Sequence, residues 1–252
     1  MVGLEGLTLP VFIFLFIGGL IWTLGGWAAF SASDRLGLAK AYGVWAPLNI
    51  VVALVWGCVL FGEFRGLSLS TYLFAAISLL TIVVGILMII FAGGERSALG
   101  GSGGVFVGYA CAVAAGVAWA TYFIPIQLKV ADLPDFSMWL GTFPLAVGMF
   151  TASAALILLT RTSLHLDGAE PRVRVLGSGV IWCVGNYGAL AMMQAVGTGK
   201  GFTISQLAVA INALVSVYVL KEPEPNSRAA KITLAGIFVA IVGALMLGSI
   251  DA

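Results

Sequence analysis

Between Gly179 and Lys221 an apolar run carries Trp182, Asn186, Gln194, Thr203, Ser205, Gln206 and Asn212, and its only charges are Lys200 and Lys221. Amides and hydroxyls donate and accept hydrogen bonds without fixed charge, and indole rings offer flat apolar faces. That combination suits a neutral polyol, whose hydroxyls need partners and whose C–H faces need flat surfaces. Polar groups in hydrocarbon are costly unless they find partners or line a wet cavity. One alternative is hydrogen bonding between packed helices, which Ser, Thr, Asn and Gln often supply. So many together point to a cavity. Bond-making chemistry has no such support: the single histidine, His165, lies in a loop, and no phosphate loop, HExxH or Ser/His/Asp arrangement is present. Cys58, Cys111 and Cys183 each fall in an apolar span and read as small core residues, not as disulfides or metal ligands. No cofactor is expected.

The same stretch occurs twice. Shifted by 160 residues, Gly19 to Leu60 matches Gly179 to Leu220 at Gly19/Gly179, Trp22/Trp182, Gly25/Gly185, Ala29/Ala189, Gly37/Gly197 and Lys40/Lys200, and again over Ala53-Leu54-Val55 and Ala213-Leu214-Val215. Tyr42 and Phe202 agree in kind. Further on, Val84-Gly85-Ile86-Leu87-Met88 answers Val242-Gly243-Ala244-Leu245-Met246. Apolar helices share composition, but Trp, Gly and Lys recurring in one register mark a repeat.

The elements that must hold these residues are set by composition. The 252 residues are 61% hydrophobic and 9% charged with a net charge of +1, and the mean hydropathy is +1.09. Such a chain is all-α and polytopic in a membrane; nothing in it suggests nucleic acid, and the lipid bilayer is its surroundings. Spans of about 20 apolar residues cross a bilayer, and eight are predicted: 9–31, 41–61, 70–92, 104–126, 136–160, 174–195, 201–221 and 231–250. Gly197, Gly199 and Gly201 form the turn between the sixth and seventh. Pro47, Pro125 and Pro144 should bend spans. Gly104, Gly108, Ala112 and Gly116 make a small-residue stripe for close packing. Arg35, Lys40, Arg96, Arg161, Arg172, Arg174, Lys221, Arg228 and Lys231 gather on one side, Lys40 and Lys221 at span ends, and Arg65, Lys129 and Lys200 on the other, so the first side is cytoplasmic and both termini are outside.

Two spans precede the second copy of the repeat and none precedes the first. The expected unit is therefore five helices, present as 3 + 5 of 5 + 5: a first half over 1–98, truncated at its N-terminus, and a second over 99–252. An odd number of helices inverts the second unit relative to the first, the arrangement of secondary transporters.

Several segments resemble the glucose/ribose porter family of the drug/metabolite transporter superfamily, which also includes the rhamnose transporter. They are GVIWCVGN (179–186), VGTGKGFTISQL (196–207), KEPEPNSRAAK (221–231), GVAWATYFIPIQL (116–128) and LNIVVALVWGCVLFGEF (48–64). The resemblance covers the whole chain, less two initial helices. It implies ten helices in two inverted repeats and uptake of a sugar across a bacterial inner membrane. On that footing the substrate-binding residues are Trp22, Trp119, Tyr122 and Trp182 for the faces and Asn49, Asn186, Gln206 and Asn212 for the amides. Trp27, Trp45 and Tyr187 are further aromatic candidates, whereas Trp56 and Trp139 read as interfacial anchors. Glu63 and Glu222 occupy similar places in the two copies; they are the plausible proton sites of the sequence but read more readily as solvated helix-end charges, so transport should be facilitated or weakly coupled. Lys40 and Lys200 should snorkel to headgroups. Two other readings stay open, an exporter of amphipathic metabolites and an inactive truncated scaffold, and the sequence leaves room for a homodimer.

Overall fold

Across a bilayer, each backbone N–H and C=O must be satisfied within its own segment, which leaves the helix as the element for apolar runs of this length. The computed structural model describes residues 7–36, 38–63, 65–92, 102–126, 138–163, 165, 167–205, 207–221 and 224–250, and among them it contains helices and no strand. The helices are α1 (Leu9–Leu36), α2 (Leu38–Leu60), α3 (Leu69–Ala92), α4 (Ser102–Trp119), α5 (Met138–Thr160), α6 (Ala169–Val196), α7 (Thr198–Ser205), α8 (Ala208–Val215) and α9 (Arg228–Gly248). Six are long and apolar enough to span a membrane, and Gly104–Trp119 is a shorter apolar helix. The chain is a polytopic helical membrane protein.

Two predicted spans are not continuous helices. The fourth stops at Trp119, runs through turns and closes in a 3-10 segment, Ile124–Ile126, that contains Pro125, whose missing N–H could not carry an α-helical ladder further. The seventh breaks into α7, α8 and a π-helical segment, Ser216–Leu220. The turn into α7 rests on Gly197 alone, whose φ of +95° suits glycine; Gly199 and Gly201 are helical. Ser227 caps α9 by accepting a hydrogen bond from Ala230 N at 3.1 Å.

The repeat reappears in the helix boundaries. Leu9–Leu36 and Ala169–Val196, both 28 residues long, are offset by 160 residues at each end. Its sense appears where α3 packs on its counterpart α9. A Cβ added to Gly85 would lie 2.6 Å from Gly236 O, and one on Gly243 would lie 2.9 Å from Ser78 O. Residue numbers rise along α3 as they fall along α9, so the two run antiparallel, and the contacts exchange under the repeat: Gly85 corresponds to Gly243 and Ser78 to Gly236. Helices can approach this closely only where side chains are absent or small. Elsewhere α1 is wedged between α4 and α5, where a Cβ on Gly19 would sit 2.1 Å from Leu145 O. In the α4 stripe, Ala112 is fully buried, Gly108 faces Leu36 and Gly116 faces the Trp45 carbonyl, whereas Gly104 faces open space. The expected boundary at 98/99 lies outside the described residues.

Candidate functional site

The repeat brings α1 and α6 together at their midpoints. Trp22 and its counterpart Trp182 touch, ring centroids 4.9 Å apart at 61°. A residue in contact with its own repeat mate lies near the axis relating the halves. Trp119, at the end of α4, completes the wall, 6.3 Å from Trp22, with its indole N–H donating to Trp22 O at 3.1 Å. That bond fixes the ring's orientation.

Beside these indoles opens a cavity of about 890 Å³, lined among others by Trp22, Tyr42, Asn49, Trp119, Tyr122, Trp182, Asn186, Phe202 and Ser205. Its size is within the range of ligand pockets, about 300–1,000 Å³. None of the described lining residues is charged, and most of the wall is apolar, with Ile211, Leu214, Ile237 and Ile241 contributing. The polar groups are few, and Asn49, Tyr122 and Asn186 are buried. Tyr122, in the turn after α4, donates its hydroxyl proton to Asn186 Oδ1 at 3.2 Å. Asn49, in the middle of α2, is buried, and its Oδ1 has no hydrogen-bond partner among the described residues. A buried acceptor left unsatisfied costs roughly 1–3 kcal/mol, so a hydroxyl entering the cavity would gain that bond.

Six of the eight residues expected from sequence therefore line one cavity: Trp22, Asn49, Trp119, Tyr122, Trp182 and Asn186. Gln206 and the side chain of Asn212 lie outside the described residues. The further aromatic candidates go elsewhere. Trp45 is buried behind Trp119, ring centroids 5.7 Å apart. Trp27 is half exposed on the outer surface, and the Tyr187 hydroxyl pairs with that of Thr142. Cys183 also departs from expectation: it is exposed, while Cys58 and Cys111 are partly buried.

Tyr42 and Phe202 are repeat mates that both line the cavity, so the repeat itself held the signal that identifies them. Ile237 and Ile241 carried none, because one aliphatic face of α9 looks like any other in sequence. Thr203 is fully buried, its Oγ1 without a partner among the described residues, next to the lining residues Phe202 and Ile204.

An indole-walled cavity with no charged side chain among its described lining, set in a repeat-built helical membrane bundle, is the architecture of a membrane transporter of small solutes. The family model described as "Sugar transport protein" matches residues 1–250, and the chain belongs to that family. A "Putative sugar uptake protein" of Bacillus cereus is 26% identical over 244 residues, covering 97% of this chain and 81% of the relative. The "Glucose uptake protein GlcU" of Bacillus subtilis is 24% identical over 242 residues, covering 96% and 80%. A "Probable glucose uptake protein GlcU" of Priestia megaterium is 24% identical over 233 residues, covering 92% and 77%. The protein is thus a multi-pass protein of a bacterial cell membrane.

Proposed function

We propose that the protein is a permease that takes up a neutral sugar, such as glucose, ribose or rhamnose, through this cavity by alternating access. The halves 1–98 and 99–252 would rock against each other about the axis near Trp22 and Trp182. The observation that carries the reading is the buried Asn49 Oδ1, unpartnered among the described residues, beside the indole wall of a cavity whose described lining carries no charge. Asn49 Oδ1 accepts a hydrogen bond from a sugar hydroxyl, Asn186 and Tyr122 add a second polar contact, and the indoles cover the C–H face. Names of relatives that refer to glucose and sugar uptake support the same substrate class. With no charged group among the described lining residues, transport is facilitated or only weakly coupled to an ion.

Uptake of labelled glucose, ribose and rhamnose by cells expressing the chain tests this directly. At least one sugar should accumulate above the empty-vector rate. Asn49→Leu, which removes the acceptor and keeps the volume, should raise the KM for it by about tenfold or more. No uptake of any of the three would remove the reading.

A second reading is favoured by one observation: Ile211, Leu214, Ile237 and Ile241 make much of the wall aliphatic. An exporter of amphipathic metabolites would use that surface. It predicts resistance to toxic amphiphiles in expressing cells, and no sugar uptake.

A further inference from the structure

We propose that Glu63 is a latch between the two halves, holding the short helix α7, and with it one wall of the cavity, against the end of α2. Its release opens that end of the cavity. The mechanical consequence rests on the alternating-access reading; the latch contact rests on geometry. Glu63 Oε1 accepts a hydrogen bond from Gly199 N at 2.7 Å and Oε2 accepts one from Lys200 N at 3.1 Å. The first turn of a helix presents backbone N–H groups without intrahelical partners and a positive dipole end, so a bidentate carboxylate is well matched to it. Glu63 was expected to be a solvated helix-end charge; both of its oxygens are instead engaged by the other half of the chain.

The slot is shaped for that carboxylate. A Cβ on Gly57 would sit 3.0 Å from Glu63 Oε2, one on Gly197 would sit 3.1 Å from its Cδ, and one on Gly199 would sit 3.0 Å from Gly57 Cα. Three glycines from two helix ends thus clear the approach. Lys200, expected to snorkel, is buried and donates from Nζ to Ile250 O at 2.6 Å. The first turn of α7 is therefore tied to α2 through Glu63 and to the end of α9 through Lys200.

The other end of α7 lines the transport cavity with Phe202, Ile204 and Ser205. Eight residues of helix span about 12 Å, so tilting the first turn displaces that wall. Outside the latch lies a second cavity of about 540 Å³, bordered by Glu63, Arg65, Gly197 and Lys200. It is the space into which α7 can move. By the distribution of cationic loops this end faces outward.

Hydrogen–deuterium exchange on the purified full chain tests the latch, with Glu63→Ala and Glu63→Gln beside the parent. Losing two charge-assisted bonds should speed exchange of amides 197–205 by about tenfold or more in Glu63→Ala. Glu63→Gln keeps one carbonyl acceptor and should fall between, and it carries the test alone if Glu63→Ala fails to fold. Peptides from the α3–α9 contact should be unchanged. No acceleration over 197–205, or an equal one in α3 and α9, overturns the proposal, because a merely structural cap would loosen the whole protein. With Cys58, Cys111 and Cys183 replaced by alanine, Ser205→Cys reports the gate. A membrane-impermeant maleimide should label it several-fold faster from one face of the membrane when Glu63 is Ala or Gln, and labelling that is unchanged, or faster from both faces, overturns the gating role. Uptake separates the two readings. Sugar uptake without an exchange difference sinks the latch alone, whereas an exchange difference in a chain that moves no sugar sinks the sugar reading and leaves the latch.

Discussion

α1 and α6 are the same helix written twice, with the same length and the same Gly-x-x-Trp-x-x-Gly pattern, yet they live in different surroundings. In α1, 39% of the most apolar 18-residue window is buried, against 11% in α6. Gly19 meets the backbone of α5, and Gly25 meets the Trp119 ring, where an added Cβ would come within 2.9 Å. Their counterparts Gly179 and Gly185 have nothing within 4 Å of an added Cβ; Gly185 opens onto the cavity. The repeated residues therefore specify a helix able to accept close neighbours on one face, and the neighbours decide whether that face becomes packing or cavity wall. α1 is the fixed side of the site and α6 the open side.

The largest expected effect comes from the glycine pair. Gly19→Leu should destabilise the protein by about 3 kcal/mol or more through overpacking against α5, whereas Gly179→Leu should shift stability by less than about 0.5 kcal/mol. Thermal unfolding of the purified variants in detergent measures both, and equal losses would break the comparison. The indole pair comes next. Trp22 contacts both Trp119 and Trp182, whereas among the described residues Trp182 makes a ring contact only with Trp22. Trp22→Ala should cost about 3 kcal/mol and Trp182→Ala nearer 1 kcal/mol, although both should slow sugar uptake by enlarging the cavity. The smallest effect is at the next repeat pair. Thr23 donates to Met149 O at 3.2 Å across the α1–α5 contact, and its counterpart Cys183 is exposed. Thr23→Val should cost about 1 kcal/mol, and Cys183→Val should be neutral in the same assay.

The contact between α3 and α9 gives the opposite lesson. There the two copies of one motif meet each other, and the glycine contacts exchange under the repeat. The packing is symmetric because the partners are equivalent. The asymmetry of α1 and α6 arises because α4 and α5 pack on α1 and have no counterparts packed on α6 among the described residues.

Much of this was legible in the residues. Hydropathy and length imply a polytopic helical bundle, since water-free surroundings leave the backbone no other choice. The register of Trp, Gly and Lys reveals the repeat, and an expected unit of an odd number of helices calls for counterparts of opposite direction, as α3 and α9 are. Aromatic rings and amides set in apolar spans point to Trp22, Asn49, Trp119, Tyr122, Trp182, Asn186, Gln206 and Asn212, because polar groups in hydrocarbon need a reason to be there, and the first six of these line one cavity. The breaks in the fourth and seventh spans, the engagement of Glu63 by α7, the burial of Lys200 and the contribution of Ile237 and Ile241 to the site emerge only from the folded chain. The reason is physical. Hydrophobicity distinguishes lipid from water but not lipid from a neighbouring helix, so which apolar face meets a partner, which meets the bilayer and which walls a cavity is decided by how the helices fit together.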